Sequence, residues 1–130
     1  MPYKLTGRSD DVAYLYCFGH MTTQHAHDFL AELYYSTNLY KKKFFIRDCL
    51  DVTSLDVDPD IPTYAAVFES SARAVLQAPM FLAILAQGEI KPMLDQYIEV
   101  LIQQMPNSVV KLCDDMAEAN EWIRHCQLKK

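Results

Sequence analysis

Two hydrophobic periods alternate along this chain, and that alternation restricts the fold more than any other feature of the sequence. Val12 to Phe18, Phe44 to Ile46, Met80 to Ala86 and Val109 to Cys113 are short apolar runs rich in aromatic and branched residues. Each is bounded by polar or turn residues, the pattern of a strand. Between the runs the apolar positions move to helical spacing, first at Phe29, Leu30, Leu33 and Tyr34, then at Tyr64, Val67, Phe68 and Val75. In the third such segment Leu94, Tyr97, Ile98, Leu101, Ile102 and Met105 form a single stripe, with Gln96, Glu99, Gln103 and Gln104 on the other side. That stripe would cover one side of a sheet.

End signals agree with these elements. Asp60 with Pro62 marks the start of the second helix, and Pro92 sits in the first turn of the third, where a missing N–H is harmless. Asp115 and Glu118 have capping-box spacing ahead of Met116, Ala119, Trp122 and Ile123, which predicts a terminal helix. Tyr3 to Thr6, separated from Val12 by a polar turn, is expected to pair with the next strand as a hairpin. The order β-β-α-β-α-β-α-β-α implies right-handed crossovers. The expected architecture is α/β: a four- to five-stranded, mostly parallel sheet with an N-terminal hairpin and about four helices. A chain of 130 residues fits one domain, 1–130.

Composition narrows the function classes. Twelve basic against seventeen acidic side chains give a net charge of -5, the wrong sign for a surface that must neutralise phosphates, so no nucleic-acid partner is expected. The longest apolar run, Ala78 to Ala86, is less than half of the ~20 residues that a membrane helix needs, so no transmembrane segment is expected. No basic n-region followed by an apolar h-region opens the chain, which points to a cytoplasmic protein. Cys17, Cys49, Cys113 and Cys126 include no Cys-x-x-Cys pair and are expected to be reduced, three of them as small buried hydrophobes. Three glycines leave little material for a phosphate loop or a nucleophile elbow, and no cofactor is expected.

The stretch Phe44-Phe-Ile-Arg-Asp-Cys-Leu-Asp-Val-Thr-Ser-Leu-Asp56, together with Ala119-Asn-Glu-Trp122-Ile123 in the terminal helix, resembles the STAS family, in the branch of the sporulation anti-anti-sigma factors. In that branch an apolar strand ends in an aspartate, a Val-Thr-like pair follows, and a second aspartate precedes helix two. The resemblance implies a STAS-like fold over nearly the whole chain. The family's second aspartate is followed by a phosphorylatable serine and a glycine, whereas Asp56 is followed by Val57, Asp58 and Pro59. Valine takes no phosphate, and the carboxylates around it would repel one. The resemblance therefore implies a chain without the serine phospho-switch, akin to the looser bacterial single-domain relatives, and similar folds bind lipids or other small apolar molecules.

Candidate site residues follow from the carboxyl ends of the strands, where open parallel sheets place their pockets. These are Asp48, Asp51, Asp56 and Asp58 in an acidic loop 48–60, with Gln87, Glu89 and Asp114 beyond the later strands. Arg47 and Cys113 fall at the same ends. Asp56-x-Asp58-x-Asp60 invites a calcium reading, but Ile61 and Val67 stand where an EF-hand loop needs glycine and glutamate. His25 and His27 point about 200° apart on a helix and cannot chelate one ion; only His20 with one of them and Asp28 could. Tyr34, Tyr35, Tyr40, Tyr64 and Tyr97 are expected at core and rim, or around an apolar pocket. The favoured function is non-enzymatic binding of a protein partner or a small apolar ligand. The alternatives are a small metal-dependent hydrolase built on the acidic loop 48–60, and a homodimer through Tyr34, Tyr35 and Leu39.

Overall fold

The computed structural model describes residues 3–9, 11–36, 38–56, 60, 67, 80–106 and 108–128. Its strands form one sheet in chain order: β1 (Tyr3–Ser9), β2 (Val12–Thr22), β3 (Phe44–Asp56), β4 (Phe81–Leu85) and β5 (Val109–Cys113). β1 and β2 pair antiparallel, with Tyr3 opposite Cys17 and Ser9 opposite Val12, as the expected hairpin; the remaining pairs are parallel. Among the described residues there are three α-helices, α1 (Thr23–Ala31), α2 (Lys91–Gln104) and α3 (Met116–Leu128). The helix expected after Asp60 lies outside the described residues except for Asp60 and Val67, and so does Asp58.

Each parallel strand joins the sheet beside its predecessor and on the same side, so right-handed crossovers place the connecting helices on one face. Helices α1 and α2 lie there, packing Phe29, Leu30, Tyr97 and Leu101 with Leu15, Phe45, Leu82 and Ile84. Helix α3 follows the last strand and turns to the opposite face, where Ala119 and Ile123 meet Phe44, Ile46, Ala83 and Leu85. Alternate residues of β3 and β4 thus feed two cores, which is why both runs read as continuously apolar rather than alternating.

The helix starts are built by local side chains. Thr22 Oγ1 accepts the His25 N–H at 3.3 Å and His25 Nδ1 accepts the Thr22 N–H at 3.2 Å, a reciprocal cap in which histidine takes the usual place of glutamate. Pro92 lies in the first turn of α2. Asp115 Oδ1 accepts the Glu118 N–H at 2.8 Å, while the Glu118 carboxylate reaches the Asp114 N–H, one residue earlier than a reciprocal box. The α2 stripe is buried at Tyr97 and Leu101 and partly at Leu94, Ile98 and Met105; Ile102 stands at the rim, 40% exposed. After α1 a π turn, Glu32–Ser36, widens the helix. It sends Leu33 and Tyr34 into the core and leaves Tyr35 74% exposed. The face expected from Tyr34, Tyr35 and Leu39 is therefore divided, since Leu39 also packs against the core.

One expectation needs correction. Residues 48–56 are strand, not an acidic loop, because β3 continues from Phe44 to Asp56 along the equally extended β2. β4 accompanies it only from Phe44 to Asp48. Beyond that point β3 lacks a second neighbour among the described strands, so its polar composition hides a strand that backbone pairing with β2 sustains. β3 has thirteen residues against eleven in β2, and two register shifts, after Tyr16 and after Gly19, take up the difference.

At the second shift Gly19 has φ 72°, a conformation that side chains resist, with nothing within 4 Å of an added Cβ. Gly19→Ala should therefore lose stability through the backbone alone, by about 1 kcal/mol, as a lowered urea midpoint at unchanged m-value.

Candidate functional site

The ribbon of β2 and β3 carries different polar groups on its two faces. On the α3 side Tyr14, Tyr16 and Phe18 succeed one another at strand spacing. The Tyr14 and Tyr16 ring centroids are 6.3 Å apart with 8° between planes, and those of Tyr16 and Phe18 5.2 Å apart at 23°. The Tyr14 hydroxyl donates to Asp48 Oδ2 at 2.6 Å, and the Tyr16 hydroxyl donates to Asp51 Oδ2. Asp48 is buried, its other oxygen accepting the Leu50 N–H at 3.1 Å; Asp51 is exposed. A phenolate at Tyr16 would sit against the Asp51 charge, and the hydrogen bond to that carboxylate holds its pKa above the ordinary value.

The first register shift creates this arrangement. β3 takes three residues from Asp48 to Asp51 while β2 takes two from Tyr16 to Phe18. Side chains alternate with period two, so without the extra residue Asp51 would face the helices of the other side. Helix α3 packs chiefly on β4 and β5, and Tyr14, Tyr16 and Phe18 remain half-buried. The result is a shallow aromatic strip edged by carboxylates on the β3 side, with Lys4 and Thr6 of β1 opposite Tyr16 and Tyr14.

On the α1–α2 side Arg47 is 7% exposed. Its guanidinium lies 5.1 Å from the Phe29 ring centroid and 5.5 Å from that of Tyr97, and Nη1 donates to the Tyr97 hydroxyl at 2.8 Å. Aromatic faces on both sides offset part of the cost of taking this cation out of water. Cys17 and Cys49 share the same core. The neighbouring Cys49 thiol lowers the Cys17 pKa against the opposing effect of burial, with help from Arg47. Cys49 is held well above the ordinary thiol value by the neighbouring Cys17 and by burial. Cys113 is also buried, and burial pushes its thiol up to about 11.

A third group gathers at the ends of β4 and β5. Gln87 Nε2 donates to the Asp114 carbonyl at 2.9 Å and Lys91 Nζ meets Asp114 Oδ1 at 2.9 Å, a contact that raises the Lys91 pKa. Of the anticipated residues, the structure thus brings Asp48 to Asp51, and Gln87 to Asp114. Glu89 stands exposed in the turn Gly88–Ile90, and Asp56 closes β3. Tyr14, Tyr16 and the Cys17–Cys49 pair were not anticipated, because each partner lies more than thirty residues away and only pairing of β2 with β3 joins them.

The histidines take separate local roles. His25 caps α1, His20 Nδ1 contacts Ser54 Oγ, and His27 lies 3.9 Å from Asp28. Among the described residues no group of three or more His, Cys, Asp or Glu side chains is arranged to hold a metal ion. An open groove of about 530 Å³ runs along β5 and α3, lined by Lys111, Glu118, Glu121, Trp122, Arg124 and His125 among others. Its charged lining does not suit an apolar ligand. No described helix is long and apolar enough to cross a membrane.

Comparison with solved structures identifies the fold. The chain is similar to an uncharacterised protein of the DUF3478 family with a SpoIIAA-like fold from Shewanella loihica PV-4, at 17% identity and TM-score 0.53, covering 92% of this chain and 90% of that one. It is also similar to the anti-sigma factor antagonist SpoIIAA in its unphosphorylated form, at 10% identity and TM-score 0.59, covering 94% and 97% of the two chains. No family model matches the sequence, and no curated protein does. The chain has a SpoIIAA-like, STAS-like fold.

Proposed function

We propose that this chain is a STAS-type regulatory module that works by docking a protein partner on the strip formed by Tyr14, Tyr16, Phe18, Asp48 and Asp51, in the cytoplasm and without a serine phospho-switch. The observation that carries this reading is the commitment of both tyrosine hydroxyls to carboxylates on a sheet face that α3 leaves half-open. Fixed, parallel rings offer contact area at little entropic cost on binding. The strip's exposed carboxylate and the chain's net charge of -5 favour a partner that presents arginine or lysine. The fold neighbour described as an anti-sigma factor antagonist supports a role exercised through another protein. A hydrolase reading is less well supported, since Asp48 and Asp51 are engaged by phenols rather than converging on a cleft.

Titrating the ¹⁵N-labelled chain with a short arginine-rich peptide, and with a glutamate-rich one of equal length, tests the proposal. Amide shifts are expected to concentrate at residues 14–18 and 48–51 with the basic peptide alone. Asp51→Asn should weaken that binding about tenfold, or 1.4 kcal/mol. Shifts centred elsewhere, or equal affinity of the variant, would overturn it.

A further inference from the structure

The first register shift has a second consequence, on the face opposite the tyrosine strip. Between the pairs Tyr16–Asp48 and Phe18–Asp51, β2 contributes Cys17 alone and β3 contributes Cys49 and Leu50. Cys17 and Cys49 therefore stand across from each other on adjacent parallel strands. Both belong to the α1–α2 core, at 3% and 7% exposure, so both thiols point to the same side. Neighbouring strands run about 4.8 Å apart, inside the range of roughly 4.4–6.8 Å between Cα atoms that a disulfide spans. Arg47, two residues before Cys49 and buried in the same core, is a cation close to the pair.

We propose that Cys17 and Cys49 are a peroxide-reactive dithiol that closes to a disulfide across the β2–β3 bulge. The Cys17 thiolate attacks one oxygen of hydrogen peroxide; an S–O bond forms, the O–O bond breaks, and the departing hydroxide takes up the proton that Cys17 gave up to become water. The Cys49 sulfur then attacks the Cys17 sulfenic acid, forming the S–S bond and breaking the S–O bond, and the Cys49 proton leaves with the hydroxyl as a second water. Two thiols lose two electrons and one peroxide gains them. The neighbouring thiol and Arg47 lower the Cys17 pKa while that of Cys49 is raised, so Cys17 is the sulfur that carries negative charge more readily. Cys113, raised to about 11 by burial, provides an inert comparison within the same molecule.

The test is exposure of the folded, fully reduced chain to dilute hydrogen peroxide, followed by intact mass measurement and non-reducing peptide mapping. The expected result is loss of one pair of hydrogens, a crosslinked peptide pair containing Cys17 and Cys49, and reversal by dithiothreitol. A Cys113→Ala/Cys126→Ala chain should give the same crosslink. With Cys49→Ser the sulfenic acid on Cys17 persists and is trapped by dimedone, whereas in Cys17→Ser trapping at Cys49 should be at least about tenfold slower. If those variants fail to fold, the wild-type map still decides. Crosslinking only in denaturant, or oxidation confined to Cys126 with Cys17 and Cys49 fully alkylatable after unfolding, would overturn the proposal.

Discussion

Arg47→Ala should destabilise the chain by about 3 kcal/mol, read as a shift of the urea midpoint. Arg47 is buried between the Phe29 and Tyr97 rings and donates to the Tyr97 hydroxyl. Truncation removes the packing of its stem, opens a cavity between α1 and α2, and takes away a donor from a buried phenol. Against a total stability of about 5–15 kcal/mol for a domain of this size, the loss is large. Arg47→Met separates packing from charge. Methionine refills most of the volume and removes the desolvation penalty of a buried cation, so its cost should stay below about 1.5 kcal/mol. Equal losses for the two variants would mean that the guanidinium's hydrogen bond and ring contacts, rather than filled space, hold the two helices to the sheet.

On the other face the corresponding anchor is Phe44. It is fully buried, packs with Phe81 at a ring-centroid distance of 5.1 Å, and belongs to the smaller core beneath α3. Phe44→Ala is expected to cost about 3–5 kcal/mol. Among the described residues the other buried members of that core are Val12, Ile46, Ala83, Leu85, Cys113, Ala119 and Ile123, most of them too small or too fixed in the sheet to collapse into the vacancy. Amide exchange should rise first in α3, whose attachment depends on that core, while α1 and α2, packed on the opposite face, keep their protection. Uniform loss of protection in all three helices would show that the two cores unfold as one unit.

The two predictions concern opposite sides of one strand, and they show what a linear reading could reach. Phe44, Phe45 and Ile46 form a run whose apolar continuity marks a strand buried on both faces, and the helical stripe through Tyr97 and Leu101 marks a helix on a sheet. The hairpin and the parallel order follow from such local periods and from the handedness of crossovers, whereas the STAS likeness came from the resemblance of Phe44 to Asp56 and of Ala119 to Ile123 to that family. Local rules also suffice for Pro92 at the start of α2 and for the Asp115–Glu118 cap.

The site obeyed other rules. Asp48 and Asp51, three residues apart, would face opposite sides of a regular strand, and one extra residue in β3 puts both on the tyrosine side. The same residue sets Cys17 against Cys49 on the reverse. Polar composition after Ile46 suggested a loop because sequence patterns record burial, and this part of β3 is held by backbone pairing with β2. Sequence by itself determined the described elements other than the far half of β3, since each of those depends on neighbours within a few residues of the chain. Tertiary structure alone decided which carboxylates meet which phenols and which thiols meet, because those contacts join residues over thirty positions apart and turn on the register of two strands.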